Sequence, residues 1–216
     1  IGKIHLIAGI IDCGYGNIAS ISGVVESLKN EYLIIQEKKD FEQIDCLILP
    51  GVGNYKKCKE LLDKNDFSHK ILESVNIHKK PILGICIGMQ LLGENGEEGE
   101  LNDKSTEGLG LIKGKVVNLN SIGCEKKLPH VGWNDVNFLN DNYLVKGIKN
   151  FSDFYFVHSF ALSDYDKDEV VAISNYDIDF PVIVNRGIVW GTQFHPEKSS
   201  KEGKKIIQNF LEYVKC

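Results

Sequence analysis

Gly84-Ile85-Cys86-Ile87-Gly88 sets a cysteine between two glycines, each two residues away. A G-x-nucleophile-x-G pattern where a strand passes into a helix has the shape of a nucleophile elbow, here with Cys in place of Ser. The reacting residue of an elbow occupies a sharp, strained turn. Its neighbours must therefore lack side chains for strand and helix to approach. A helix starting behind Cys86 would direct N–H groups and a positive dipole end at the sulfur, favouring the thiolate and offering an oxyanion donor. Taken alone, the pattern fits equally well a buried structural cysteine flanked by two glycines.

A thiol nucleophile needs a base, and the base needs an orienting partner. Six histidines are present. His5 lies in an apolar run, and His69 and His78 stand among lysines on helical or loop ground; these read as core or solvated surface. His130 and His158 fall in short strands and read either way. His195 ends the apolar run 189–194 and is followed by Pro196, which favours extended backbone at the preceding residue. Glu197 lies two residues on, and along an extended backbone such side chains project to the same side. A carboxylate there would orient the imidazole and stabilise its charged form. In isolation, His195 reads more readily as a strand-end histidine beside a surface glutamate.

The elements that would carry these residues alternate in the first half. Strands are expected at 4–11, 46–49 and 82–85, and helices at 20–28, 55–62, 67–75 and 87–92. Pro50-Gly51-Val52-Gly53 is expected to stop the second strand. The second half reads as antiparallel strands and hairpins at 116–119, 136–138, 153–160, 170–174, 182–184 and 188–192. An amphipathic helix over 200–214 closes the chain, with Ile206, Ile207, Phe210 and Val214 on its apolar face. The fold class is thus α/β: an open, mostly parallel sheet flanked by helices with an antiparallel extension, one domain over 1–216. In such sheets ligands bind beyond the carboxyl ends of the strands, so the loops after Ile11, Leu49 and Ile85 are the places to search.

The 216 residues are 43% hydrophobic and 25% charged, enough apolar content for a core without disulfide or metal staples. A net charge of −5 disfavours nucleic acid and anionic membrane as partners. Cys13, Cys46, Cys58, Cys86, Cys124 and Cys216 are scattered, without CxxC or zinc spacing. The apolar start at 1–11 is too short to span a bilayer and has no basic lead or cleavage site. The expectation is a reduced, cytoplasmic protein in which any single cysteine is a candidate nucleophile.

Gly84-Ile85-Cys86-Ile87-Gly88-Met89-Gln90, followed by Gly191-Thr192-Gln193-Phe194-His195-Pro196-Glu197-Lys198-Ser199, closely resembles the class I (triad) glutamine amidotransferases. More narrowly it resembles the glutaminase subunits of imidazole glycerol phosphate synthase, from histidine biosynthesis. Asp12-Cys13-Gly14-Tyr15-Gly16-Asn17 resembles the first loop of that family, and Leu49-Pro50-Gly51-Val52-Gly53 its oxyanion strand. Glu107-Gly108-Leu109-Gly110-Leu111-Ile112, Pro129-His130-Val131-Gly132-Trp133-Asn134 and Tyr155-Phe156-Val157-His158-Ser159 follow in family order. The elbow is shared across the class; Gly-Met-Gln after it and Lys after His-Pro-Glu point to the subfamily.

The resemblance implies a Cys86, His195 and Glu197 triad that hydrolyses glutamine to glutamate and ammonia through a thioester. It implies oxyanion donors from Ile87 and from Gly51-Val52-Gly53, where a peptide must flip into register, and a glutamine grip from Gln90, His158, Ser159 and Phe160. No cofactor or metal is implied. The implied partner is a cyclase subunit of (β/α)₈-barrel fold, forming a heterodimer and receiving ammonia. Asn17, Pro129, Val131, Trp133, Tyr155 and Lys198 match interface positions of the family. By residue type alone, Trp133 and Tyr155 read as core and Lys198 as a solvated charge. The chain departs from the pattern at Cys13, where Tyr is common, at Ala19, where a basic residue is frequent, and in the acidic, glycine-rich segment 93–104, which reads as a flexible loop. These departures keep open a paralogue supplying ammonia to amidate a bacterial surface sugar. A catalytically silent docking or regulatory module is a further alternative, against which the intact Cys86, His195 and Glu197 argue.

Overall fold

The structure, a computed structural model, describes residues 6–12, 14, 16–101 and 104–216. The first half runs β1 (Ile7–Ile11), α1 (Ile18–Ser27), β2 (Glu31–Ile35), β3 (Cys46–Gly51), α2 (Tyr55–Lys64), α3 (Phe67–Asn76), β4 (Ile82–Cys86) and α4 (Ile87–Leu92). Then come β5 (Asn95–Gly96), β6 (Thr106–Glu107), β7 (Lys115–Asn118), β8 (His130–Phe138), β9 (Ser152–His158) and β10 (Phe160–Ser163). Last are β11 (Val170–Tyr176), β12 (Ile178–Arg186), β13 (Val189–Thr192) and α5 (Ser200–Val214).

Nine strands form one sheet in the order β2-β1-β3-β4-β13-β12-β11-β8-β9. From β2 to β13 the neighbours are parallel; from β13 onward they are antiparallel. A smaller sheet runs β10-β7-β5-β6. The buried strands β3 and β4 are continuous apolar runs, as strands covered on both faces require. Helix α5 buries Gly203, Ile206, Ile207, Phe210 and Leu211, the three-and-four spacing of one helical face. No helix among the described residues is long and apolar enough to cross a membrane.

Several elements differ from the sequence reading for identifiable reasons. Strand β2 went unread because it is an edge strand, paired only with β1, and it exposes Glu31 and Tyr32. Strand β3 does not stop at Pro50. Its pairing with β1 ends at Ile48, so the N–H that proline lacks interrupts no ladder on that side. The run 153–160 breaks at Ser159. His158 still pairs with His130 in the large sheet, whereas Phe160 pairs with Asn118 in the small one. Leu119 begins a 3₁₀ turn, Leu119–Ile122, instead of ending a strand. The acidic segment is fastened: Lys113 pairs with Glu94 at 2.9 Å, the Tyr55 N–H donates to Glu98 at 2.8 Å, and Lys56 pairs with Glu100 at 2.9 Å. Asn102 and Asp103 of that segment lie outside the described residues.

The corner between β4 and α4 is the tightest point of the core. A Cβ on Gly84 would stand 2.7 Å from the Gly88 carbonyl, and one on Gly88 would collide with the Leu49 carbonyl oxygen of β3. The neighbours are backbone, which cannot rotate away. Gly88→Ala is therefore expected to destabilise the protein by at least about 2 kcal/mol in urea unfolding, in the upper range of overpacking costs. An unchanged midpoint would show that the corner opens freely.

Candidate active site

Register brings three chain segments to one place. Gly51 of β3 is level with Cys86 of β4, and Thr192 of β13 is level with Ile85. The carboxyl ends of three adjacent parallel strands thus deliver Val52-Gly53, Cys86 and Gln193-Phe194-His195 to the same edge. They meet a cavity of about 570 Å³ that Cys86, His195, Val52, Gly53, Ile87, Gln90, His158, Ser159 and Phe160 all line. Asn17, Pro129 and Lys198 also line it, as do Gly16, Glu98 and Val157, which the sequence reading did not single out. Gly51 stays behind the cavity wall, inside β3.

Cys86 has φ 55° and ψ −113°, a backbone that side-chain-bearing residues rarely adopt, and it is 3% exposed. Its Sγ lies 3.9 Å from the Val157 carbonyl and 3.9 Å from Gln193 Nε2. Helix α4 behind it is only 6 residues long, so the dipole that the sequence reading invoked is a modest aid beside the N–H groups themselves. The other described cysteines sit elsewhere. Burial pushes the Cys46 thiol strongly upward, Cys124 donates to the Tyr176 carbonyl at 3.4 Å, and Cys216 is exposed. Cys58 donates to the Val52 carbonyl at 3.6 Å, which directs that carbonyl toward α2. Cys13 and His5 lie outside the described residues.

His195 Nδ1 donates to Glu197 Oε1 at 2.9 Å, and both side chains are 1% exposed. Their approach does not come from an extended backbone, as the spacing suggested. Pro196 opens a 3₁₀ turn, Pro196–Lys198, and that turn folds Glu197 back on the ring. The backbone is anchored on both sides. The His195 N–H donates to the Tyr155 carbonyl at 2.9 Å, and Ser199 Oγ donates to the His195 carbonyl at 2.6 Å. His195 Nε2 and Glu197 Oε2 are buried without a hydrogen-bond partner among the described residues. Burial works against a charged ring here. The neighbouring Cys86 sulfur and the Glu197 carboxylate outweigh it, raising the imidazole from its ordinary 6.5 to about 10.

The other two histidines of this region are set the opposite way. His158 Nδ1 faces the Phe160 carbonyl at 2.9 Å, so it must carry the proton. His158 Nε2 then accepts from His130 Nδ1 at 3.0 Å, and His130 Nε2 accepts from Asn134 Nδ2 at 3.4 Å. Burial lowers His130 to about 4 and His158 to about 3, so both rings are neutral. With both nitrogens engaged, the His158 ring offers a ligand no free polar atom. Gln90 does: its Nε2 donates to the Phe160 carbonyl at 2.9 Å and to Gln193 Oε1 at 3.1 Å, leaving Oε1 buried and unpaired among the described residues. Burial raises the Glu98 carboxyl pKa, although the Tyr55 N–H holds one of its oxygens. The acidic composition of 93–104 concealed Glu98 among surface charges.

Beside the cavity mouth, β8 and β9 display an apolar strip. Val131 opposes Val157 and Trp133 opposes Tyr155 across the ladder. Val131 is 56% and Trp133 53% exposed, so the core reading of Trp133 is overturned: its position lies on the solvent side of the β8–β9 ladder. The Trp133 and Tyr155 rings meet edge to face at 6.1 Å, and Lys198 Nζ lies 5.8 Å from the Tyr155 ring centre. Lys198 is thus held at the junction of strip and cavity.

A cysteine on a strained strand-to-helix corner, beside an imidazole bound to a carboxylate at the carboxyl edge of a parallel sheet, has the parts of a thiol-dependent acyl-transfer site. Residues 9–214 match the family described as Glutamine amidotransferase class-I. The imidazole glycerol phosphate synthase subunit HisH of Geobacillus sp. (strain WCH70) is 42% identical over 209 residues, covering 95% of this chain and 96% of that protein. The protein of the same name from Methanocaldococcus jannaschii is 43% identical over 207 residues, covering 95% and 99%. Among solved structures, a glutamine amidotransferase superposes with a TM-score of 0.74 at 20% identity, covering 97% of this chain and 99% of that one. PurLQS from Thermotoga maritima superposes with a TM-score of 0.71 at 21% identity, covering 98% and 100%. These last two establish a shared fold. The chain belongs to the class-I glutamine amidotransferase family, among the relatives of the HisH subunits.

The electrostatics of His195 are open to direct observation. Its ring protons in the full chain should titrate in the alkaline range by NMR, near the value of about 10. Replacing Glu197 by Gln removes an anion that favours the charged ring, so the midpoint should move to lower pH. A midpoint unmoved in Glu197→Gln would show that the carboxylate does not hold the charge.

Proposed function

We propose that this chain is the glutaminase subunit of an imidazole glycerol phosphate synthase, hydrolysing L-glutamine and passing ammonia to a partner subunit. The observation that carries the reading is the match, at about two-fifths identity and nearly end to end, to proteins named as HisH subunits of that synthase. The triad geometry supports it. In this reading Cys86 thiolate attacks the side-chain carboxamide carbon of glutamine, and His195 gives a proton to the departing nitrogen as the C–N bond breaks. Ammonia leaves and a γ-glutamyl thioester remains on Cys86. Water, deprotonated by His195, then attacks the thioester, and glutamate departs as the thiolate returns. Glu197 orients the ring and stabilises its charge throughout. The tetrahedral oxyanions would be met by the Ile87 N–H and by the Val52-Gly53 segment, each such donor being worth roughly two to three orders of magnitude in rate.

Glu98 and the unpaired Gln90 Oε1 supply a carboxylate and an acceptor in the same cavity, a pairing suited to an α-ammonium group. Ammonium formed in water is no longer a nucleophile, so ammonia must leave through a shielded route. The exposed Val131, Trp133 and Val157 beside Asn17, Pro129 and Lys198 provide an apolar seal around that exit. The partner suited to it is a cyclase subunit of (β/α)₈-barrel fold, docking as a heterodimer.

Two experiments test this. The purified chain should release glutamate from glutamine slowly alone and much faster with the cyclase subunit. Cys86→Ala and His195→Ala should each lower that turnover by at least about a thousandfold while retaining the native circular dichroism spectrum. Turnover persisting in Cys86→Ala would end the reading. Separately, Trp133→Asp should weaken association with the cyclase subunit by more than about tenfold, as expected for a central aromatic anchor; undiminished association would place the interface elsewhere.

A further inference from the structure

Gln193 is fully buried immediately after β13, two residues before His195, and the mechanism above leaves it without a task. The orientation of its amide is fixed by a chain of hydrogen bonds that begins at a backbone carbonyl. The Phe160 carbonyl only accepts, so the Gln90 group 2.9 Å from it must be the NH₂ end. That same Gln90 Nε2 lies 3.1 Å from Gln193, so the atom of Gln193 facing it must be the carbonyl oxygen. The amide of Gln193 is thereby turned with its NH₂ toward Cys86, with Nε2 3.9 Å from Sγ. Among the described residues the sulfur also meets the Val157 carbonyl at 3.9 Å, which accepts and therefore suits the neutral thiol. The two contacts favour opposite protonation states.

We propose that Gln193 is a further catalytic residue: its side-chain N–H, aimed by Gln90 and the Phe160 carbonyl, donates to the Cys86 sulfur and stabilises the thiolate. The catalytic role rests on the glutaminase reading, whereas the contact with sulfur stands apart from it. A donor preset toward the sulfur costs no reorganisation when the thiol ionises, and none when the thiolate leaves the thioester. It also gives Gln90 two roles, its NH₂ aiming Gln193 while the residue itself forms part of the cavity wall.

The test is alkylation of Cys86 by iodoacetamide in the full chain without glutamine, followed across pH. Gln193→Met, which keeps length but removes the donor, should slow alkylation about tenfold at neutral pH, the scale of one charge-assisted hydrogen bond. The rate should recover as pH rises. Gln193→Glu, which places an anion beside the sulfur, should slow it further, and Gln90→Met, which releases the aim, should fall between Gln193→Met and the unaltered chain. Folded variants that alkylate at the unaltered rate, or a loss of equal size at every pH, would overturn the proposal. Because Gln193 is fully buried, an observation on the unaltered chain backs these: its side-chain amide protons should shift by NMR as Cys86 ionises, and immobile resonances would equally overturn it. Glutamine turnover of the same variants separates the two claims. An alkylation effect without turnover in any form would sink the glutaminase reading and leave the contact standing.

Discussion

Cys86 carries a side chain on a backbone where glycine is at home, at φ 55°, and much of the site depends on its being held there. A left-handed φ costs an L-residue about 1–2 kcal/mol, so the neighbours must over-determine it. They do so by contact: Gly84 lies against the Gly88 backbone, and Gly88 against the Leu49 carbonyl of the adjacent strand. That approach turns the chain from β4 into α4 within one residue. It lifts the sulfur out of the strand line toward the ends of β3 and β13, and it leaves the Ile87 N–H directly behind. A looser corner would let the strain relax and carry the sulfur away from its partners.

Around that point the charges are sorted by environment. Burying an imidazole and a carboxylate together is costly; the 2.9 Å contact between His195 and Glu197 offsets part of that cost, while His195 Nε2 and Glu197 Oε2 are left without a partner among the described residues. The ring is pushed above its ordinary value by the sulfur and the carboxylate, against burial. His130 and His158, also buried but hydrogen-bonded only to neutral groups and each other, are pushed below theirs, chiefly by burial and with Lys126 adding to the effect at His130. Three histidines of one fold are thereby divided between one ring that favours the charged form and two that favour the neutral form, by their surroundings. The neutral pair holds the Phe160 carbonyl, the same atom that orients Gln90 and through it Gln193.

Much of this was readable from residue order. The elbow, the helix over 87–92 and the final helix over 200–214 lie where glycine spacing and apolar periodicity put them. The β/α alternation of the first half is a parallel sheet, and the second half is antiparallel except where β13 joins β4 and β5 joins β7. What was not readable depends on three-dimensional neighbours. Strand β2 shows no alternation because burial rises along it, from exposed Glu31 and Tyr32 to buried Ile35. Glu98 looked like one more charge in an acidic run until the fold turned it into the cavity. Trp133 looked like core because residue type does not report which side of a ladder faces solvent. Gln193 left no signal of its own function, since an amide at a strand end acquires a direction only from partners 70 to 103 positions distant from one another along the chain.

The central claim is that the Cys86 sulfur forms a covalent bond to the glutamyl group. The most direct measurement is acid quenching of the full chain, with its partner subunit, during glutamine turnover, followed by peptide mass spectrometry. A γ-glutamyl adduct on the peptide carrying Cys86, lost on mild alkaline treatment as a thioester is, is the predicted result. Turnover with no adduct on that cysteine, or with the adduct on another residue, would contradict it.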